Sequence, residues 1–410
     1  MGGILGGGTA VGGVESRSPT IRRGTNLPRM GDFNEAVILD AIRRESRGLS
    51  RVELAAATGL SAQTVSNICR RLIDGGLARE TGKRRAGSGK PRTVLQIDAG
   101  GRFAIGAHLD PAVITYVVLD LLGRVVAHRR EPTPHVVDPD RTMAEISASI
   151  HALVTSSGVP SERILGLGIA APGPLDPVAG LLVDPPELEG WGRVPLRDFL
   201  GAQTGLPVLL DKDVIAAAIA ERWAGAAAHT GDFLFFYLGT GSGMGLVVDD
   251  TVLRGVTGNA GEIGGLDAAC TTRAMVDEAV ALGVLPPGSA PASPREAESG
   301  LGELCRRAQG DPVAAGIIDR WAERVGRGVS AAATLADSEL IVFGGPIWPH
   351  LADRFLRVVP GIVAGSPFVK PTHPTVVTGT AVGDDVGAVG AACLVLDHML
   401  SVRPQSLLLR

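Results

Sequence analysis

The most informative hydrophobic pattern lies between Leu49 and Arg92. Within it, four apolar residues recur at three- and four-residue spacing, which predicts one buried face of a helix: Val65, Ile68, Cys69 and Leu72. Ser61 precedes this helix, and its hydroxyl can accept a hydrogen bond from the free amides of the first turn. Gly75-Gly76 ends it, because glycine adopts the left-handed cap conformation at little cost.

Two further helices and a hairpin complete this region. The pattern predicts helices over Asn34 to Arg44 and over Arg51 to Ala57, the latter broken at Thr58-Gly59-Leu60. After Ala78, two short strands flank a Gly/Ser tip that carries basic residues: Lys83, Arg84, Arg85, Lys90 and Arg92. We therefore predict a winged helix-turn-helix domain over residues 31–97, preceded by a Gly-rich, disordered arm over residues 1–30.

The polar face of the second helix of this motif has the chemistry of a DNA reader. Its side chains match the donor and acceptor edges that bases present in a major groove: Gln63, Thr64, Ser66, Asn67 and Arg70. On the wing, Lys90 and Arg92 would contact the DNA backbone. The alternative is a helical hairpin used for protein contacts. The combination of a Ser cap, a polar face and a basic wing favours double-stranded DNA.

From about residue 98 to 410, apolar runs of strand length alternate with Ala-rich helical segments. The predicted strands are Ile114 to Leu122, Ile164 to Ala171, Val208 to Leu210, Phe233 to Leu238 and Leu340 to Phe343. The predicted helices are Thr142 to Ser156, Ala216 to Ala228, Ala314 to Leu335 and Ala388 to Met399. This alternation predicts an α/β body with mixed sheets.

Composition sets the class of protein. Of 410 residues, 45% are hydrophobic but only 4% are aromatic, so the cores consist mainly of Ala, Val, Leu and Ile. No apolar run reaches the ~18 residues of a membrane span, and we see no signal peptide. The four cysteines lack metal or disulfide spacing. We expect a cytoplasmic protein with reduced thiols and no membrane partner.

The distribution of charge separates the two ends of the chain. The net charge is −4, yet Phe33 to Ile97 holds 12 Lys/Arg against 6 Asp/Glu, and the residues after Ile97 carry a net −12. A basic module on an acidic body fits selective contact with DNA through one end.

A glycine-rich segment follows the strand Phe233 to Leu238. The sequence Gly239-Thr-Gly-Ser-Gly-Met-Gly245 can turn backbone amides toward an anion, with Thr240 and Ser242 as hydroxyl donors. Alone, it is equally compatible with a tight hairpin that binds nothing. Further Gly-rich segments accompany it: Gly168 to Pro174, Gly258 to Gly264, and Phe343-Gly344-Gly345.

Taken in order, these segments resemble the ROK family of repressors and sugar kinases. The resemblance runs from Asn34 to the C-terminus and rests on G-L-G-I-A-A-P-G-P-L-D-P, P-P-E-L-E-G-W, L-D-K-D, G-T-G-S-G-M-G and G-N-A-G-E-I-G. It implies a two-lobed, actin-like ATPase (ribonuclease H-like) body. The preceding winged helix-turn-helix resembles the regulator branch, whose members repress sugar-use operons as dimers or tetramers and release DNA when a sugar or sugar phosphate binds.

The chain departs from the pattern of the family's kinases. Where they carry a phosphate-binding D-x-G-G-T loop, His108 stands at the Asp position and Asp110 at the first Gly position. A carboxylate there would face a triphosphate that needs amide donors, so we expect no kinase activity. Gly265 replaces a sugar- and zinc-binding His, and Cys270 is a lone remnant of the zinc motif. We therefore expect neither a metal nor a cofactor.

The resemblance also implies an effector site, for which we predict Glu187, Lys212, Asp213, Asn259 and Glu262. Asp213 matches the catalytic Asp of the kinases, whereas Lys212 and Glu187 replace Asn residues. Lys212 would form an ion pair with a phosphate or carboxylate group of a ligand. Alternatively, it would neutralise Glu187, Asp213 or Glu262 within the protein. A third possibility is that the pocket binds no ligand. We predict a DNA-binding repressor that senses a sugar or related molecule. The alternatives are an ATP-dependent sugar kinase with a DNA module, and a ligand-free scaffold.

Overall fold

The N-terminal region forms three helices and a small sheet. The structure, a computed structural model, describes residues 27–85, 90–134, 138–186, 188, 190–263, 271–365 and 373–401. Helix α1 (Leu27–Arg44) begins seven residues before Asn34, inside the segment predicted as an arm. Helices α2 (Arg51–Thr58) and α3 (Ala62–Asp74) follow. The four apolar residues predicted to face inward from α3 are all buried.

Capping interactions fix the ends of α2 and α3. Ser50 and Glu53 form a reciprocal capping box at the start of α2, and Gly59 ends it with φ +70°. At α3, the Ser61 hydroxyl accepts from the Thr64 amide at 3.1 Å. The left-handed residue that ends α3 is Gly76, with φ +72°, while Gly75 keeps right-handed helical geometry.

The wing is a three-stranded antiparallel sheet. It consists of β1 (Leu49–Ser50), β2 (Ala78–Arg84) and β3 (Arg92–Ile97), in the order β1-β3-β2. The predicted Gly/Ser tip, residues 86–89, lies outside the described residues. The strands extend the helical core because Ala78, Leu95 and Ile97 are buried against it.

The first lobe of the body is built on a five-stranded mixed sheet in the order β11-β7-β4-β5-β6. Its strands are β4 (Phe103–Leu109), β5 (Val113–Asp120), β6 (Val125–Pro132), β7 (Ile164–Ala171) and β11 (Val208–Lys212). A small sheet of β8 (Leu175–Asp176), β9 (Leu181–Val183) and β10 (Arg193–Val194) follows β7 in the chain. Helices α4 (Pro139–Ser157) and α5 (Leu196–Thr204) belong to this lobe.

The second lobe repeats the mixed-sheet plan in the order β14-β13-β12-β15-β16. Its strands are β12 (Phe233–Leu238), β13 (Ser242–Val248), β14 (Thr251–Val252), β15 (Leu340–Gly344) and β16 (Val376–Gly379). Its helices are α7 (Thr272–Ala281), α8 (Pro294–Arg307), α9 (Pro312–Ala336) and α10 (Trp348–Gly365). None of the helices in the described part of the chain is long and apolar enough to cross a membrane.

Two almost fully buried helices, α6 (Asp213–Ala224) and α11 (Val386–Leu400), pack against each other between the sheets. Their small residues permit unusually close contact. A Cβ added at Gly390 would overlap the backbone of Ala216, and one added at Gly168 of β7 would overlap the carbonyl of Ala391. Glycine at these two positions therefore lets the backbones approach each other.

Candidate nucleic-acid interface and interlobe cleft

The outer face of α3 presents most of the predicted base-reading side chains to solvent. Gln63, Asn67 and Arg70 are exposed and Ser66 is partly exposed. Gln63 Nε2 donates to Asn67 Oδ1 at 3.2 Å, so these two amides form one polar unit on the helix surface. The hydroxyl of Thr64 lies 2.9 Å from that of the capping Ser61, at the start of the helix.

The basic residues of the wing have two different surroundings. Lys90 and Arg92 are exposed, as a role at a DNA backbone requires. Arg84 instead donates to both carboxylate oxygens of Glu53, at 3.0 and 2.9 Å. Hydrogen bonds from the Ser50 backbone and hydroxyl, together with Arg84, lower the pKa of Glu53 to about 2. Arg84 therefore joins the wing to α2.

A cleft of about 270 Å³ separates the two lobes. Residues from both lobes and from the start of α6 line it: Asp110, Pro111, Pro172, Gly173, Pro174, Pro186, Lys212, Asp213, Val214, Tyr237, Gly241, Ser242, Gly243, Glu262 and Thr271. Three of the five predicted effector residues thus lie around one cavity. Glu187, a fourth, is outside the described residues.

Lys212 is only 3% exposed, and its ammonium group pairs within the protein. Its Nζ lies 3.2 Å from Oε2 of Glu262, whose side chain remains largely exposed. The neighbouring Asp211 accepts from Nε of Arg254 at 2.8 Å. In this structure, Lys212 therefore pairs with a carboxylate of the protein itself.

Asp213 is the first residue of α6 and projects into the cleft. Its Oδ1 accepts from the Val214 amide at 2.7 Å. Burial raises the pKa of Asp213 to about 7, against a weaker opposing effect of this hydrogen bond and of Lys212. A carboxyl group with such a pKa can accept from a ligand hydroxyl when ionised and donate when protonated.

Asn259 supports the cleft wall. Its Oδ1 accepts from the Leu175 amide and its Nδ2 donates to the Leu175 carbonyl, both at 2.8 Å. A second donor bond from Nδ2 reaches the carbonyl of Thr257. These contacts hold the turn at Gly173 to Leu175 against the segment that carries Glu262. The structure therefore places Asn259 as a positioning residue.

The end of β4 and the β4–β5 turn carry the segment that the family resemblance matches to the phosphate loop of the kinases. Asp110, 3% exposed, accepts from the Ala112 amide at 2.8 Å. His108 is buried beside α11, where Nε2 has no partner among the described residues, and burial lowers the pKa of its imidazole to about 4. The imidazole is therefore neutral at physiological pH.

Tyr237 at the end of β12 is a cleft residue that the sequence analysis missed. It is 3% exposed, and its hydroxyl has no hydrogen-bond partner within the described structure. Its ring meets that of His108 edge-on, with centroids 6.1 Å apart. One sequence feature could have identified Tyr237, because it is the sole polar residue in the run Phe233 to Leu238.

The winged domain rests on the far ends of α6 and α11. Arg43 of α1 donates to the carbonyl of Trp223 at 2.7 Å, and its guanidinium lies 4.5 Å from the centroid of the Trp223 ring. Arg44 donates to Asp250 at 3.1 Å. Leu39 and Leu400 line a small cavity at the same junction. Sequence analysis did not identify this interface.

Comparison with known proteins agrees with both parts of the architecture. Residues 106–398 match the ROK family, and residues 26–86 match the MarR family. The chain is 24% identical over 400 residues to the xylose repressor of Caldicellulosiruptor bescii. This alignment covers 92% of this chain and 98% of that protein.

Two solved structures share the fold. A ROK family transcriptional regulator, homologous to the E. coli MLC protein, superposes with a TM-score of 0.74 over 92% of this chain and 98% of its own, at 20% identity. A ROK glucokinase from Streptomyces griseus, solved with glucose and AMPPNP, superposes with a TM-score of 0.59. The superposition covers 71% of this chain and 98% of the glucokinase, at 26% identity. The predicted winged helix-turn-helix and actin-like body are confirmed. The chain belongs to the ROK family.

Proposed function

We propose that this protein is a cytoplasmic transcriptional repressor whose affinity for an operator is controlled by a sugar, or a related small molecule, in the interlobe cleft. The observation that carries the proposal is the course of α6. This helix begins with Asp213 in the cleft and ends at Trp223 and Ala224, where Trp223 holds Arg43 of the winged domain. Its 12 residues span about 18 Å.

A ligand in the cleft would act through the relative position of the lobes. Such a ligand can change the affinity for DNA only if it binds one arrangement of the lobes more tightly than the other. Asp213 directly follows β11 of the first lobe, and Glu262 pairs with Gly243 of β13 in the second lobe. A ligand that bridges these two residues would therefore favour a closed cleft. Movement of α6 on closure would reach Arg43 and thereby reorient α1 and the recognition helix.

On the DNA side, the exposed face of α3 would read bases in the major groove, through Gln63, Thr64, Ser66, Asn67 and Arg70. Lys90 and Arg92 would hold the wing on the backbone. We propose a homodimer or homotetramer, because two recognition helices then meet half-sites about 34 Å apart. The named relative is a xylose repressor, which makes xylose a candidate effector.

The first experiment selects binding sites for the full-length protein from random-sequence DNA and measures affinity by gel shift. Arg70→Ala should weaken binding to the selected site about tenfold, since one base contact contributes about 1–3 kcal/mol. Arg306→Ala, an exposed arginine of the body, is the control and should leave the affinity unchanged. Equal affinities of the wild-type and Arg70→Ala proteins would remove Arg70 from the interface.

The second candidate function is an ATP-dependent sugar kinase. Asp213 and the Gly239 to Gly245 loop favour it, as does the similarity to a glucokinase. The buried carboxylate of Asp110 opposes it, because a transferring phosphoryl group needs donors at that place. We therefore propose that the chain is not an enzyme. A coupled assay for ADP release with ATP, Mg²⁺ and common hexoses and pentoses tests this, and sugar-dependent turnover would establish the kinase.

A further inference from the structure

Part of the cleft lining suits hydroxyl groups better than a phosphate. Besides Lys212, Asp213 and Glu262, the cavity is lined by Asp110 from the β4–β5 turn, Tyr237 from β12, and Thr271 at the start of α7. Gly241, Ser242 and Gly243 also line it. This part of the lining therefore combines one carboxylate with several hydroxyl groups and backbone amides.

The charges of the cleft lining disfavour an anion. Lys212 is the one cationic side chain among the described lining residues, and Glu262 already pairs it. A phosphate there would face the buried carboxylate of Asp110, and like charges repel.

The hydroxyl of Tyr237 requires a partner. A buried polar group without a hydrogen bond costs about 1–3 kcal/mol, and a ligand group that bonds to it recovers this cost. Burial, together with the nearby carboxylate of Asp110, raises the pKa of Tyr237 well above its usual value, so the phenol stays protonated and can donate.

Thr271 supplies a second directed hydroxyl. Its Oγ1 accepts from the amide of Ala274 at 3.2 Å as the N-cap of α7. This contact engages the oxygen and leaves the hydroxyl proton available for a ligand oxygen. The next residue, Thr272, donates to the carbonyl of Gly239 at 2.8 Å and so fixes the glycine loop beside the cavity.

We propose that Asp110, Tyr237 and Thr271 form a second subsite for a neutral, hydroxyl-bearing ring. The effector is then of disaccharide size, with its first ring at Asp213 and its second ring at Asp110, Tyr237 and Thr271. This inference rests on the proposed function, in which the cleft binds a sugar.

Calorimetry on the full-length protein tests the subsite. The probes are xylose and glucose, the disaccharides xylobiose, cellobiose and maltose, and glucose 6-phosphate. At least one disaccharide should bind tenfold or more tightly than its own monosaccharide. Tyr237→Phe should reduce this gain to below threefold. A disaccharide that binds no more tightly than its monosaccharide, tighter binding of glucose 6-phosphate, or an unchanged gain in Tyr237→Phe would overturn the proposal.

The chain offers a matched control, because Tyr116 is its only other tyrosine and is buried in the core of the first lobe. Tyr116→Phe should keep the full gain, and circular dichroism and melting confirm that both variants fold. The two proposals fail differently. If a monosaccharide binds and releases DNA but no disaccharide binds more tightly, only the subsite is wrong. If no sugar binds, the effector function fails with it.

Discussion

At the scale of single residues, protonation links the cleft to stability. Burial raises the pKa of Asp213 from 3.8 to about 7, so the folded protein binds this proton more tightly than the unfolded chain does. The stabilisation is complete below about pH 4 and is lost as the pH rises to about 7. At higher pH, the protein carries an ionised carboxylate in a poorly hydrated place.

Replacing Asp213 by Asn should therefore remove this part of the pH dependence. We expect the difference in melting temperature, Asp213→Asn minus wild type, to be more positive at pH 8 than at pH 4.5. Asp198→Asn, which changes an exposed carboxylate on α5, should give the same difference at both values. A difference for Asp213→Asn that does not vary with pH would contradict the assigned protonation.

The sequence identified residues of the cleft where their chemistry is explicit. Lys212, Asp213 and Glu262 stood out as charges in recognisable segments, and the structure brings them around one cavity. Roles that depend on distant partners were not accessible. Asn259 bonds to the backbone of Leu175, 84 residues away, and no local pattern encodes that contact. Tyr237 was hidden because it lies in an otherwise apolar strand.

At the scale of elements, the pair α6 and α11 depends on glycine and alanine. The elements were predictable, but the ends of α6 were not. The predicted helix ran from Ala216 to Ala228, whereas α6 spans Asp213–Ala224. A helix that is buried on all sides has little amphipathic periodicity to mark its ends. The two helices are also joined by a buried ion pair between Arg222 of α6 and Asp397 of α11.

Gly390→Ala tests this close packing. The added methyl group would overlap the backbone of Ala216, and overpacking of a core costs about 1–3 kcal/mol. Chemical denaturation should show this loss in the free energy of unfolding. Gly328→Ala is the matched control, since its Cβ would meet nothing within 4 Å on α9, and it should stabilise by about 0.5–1 kcal/mol. Equal effects of the two substitutions would refute the close crossing.

At the scale of the whole molecule, the winged domain and the body are joined by more than a linker. Charge and pattern predicted the two modules, and one solved structure of a ROK regulator shares the fold over 92% of the chain. Their interface could not be predicted, because Arg43 and Trp223 are 180 residues apart. Each looks ordinary in its own segment, and only the folded chain brings the guanidinium onto the indole.

Arg43→Met should loosen this junction. It removes a hydrogen bond, a cation–π contact and an ion pair with Asp40, and we expect a loss of about 1–2 kcal/mol. Calorimetric melting should then show the winged domain unfolding before the body. Arg71→Met breaks an exposed ion pair with Glu35 within the winged domain and should cost less than about 0.5 kcal/mol. Unaltered melting of Arg43→Met would argue against a coupled interface.

The most direct test of the switch is the affinity of the full-length protein for its selected DNA site, measured with and without the sugar panel. We predict that at least one neutral sugar weakens DNA binding tenfold or more, within the usual range of allosteric coupling. Asp213→Asn should bind the same DNA yet lose the response to that sugar. DNA binding that no sugar in the panel alters would contradict the proposed function.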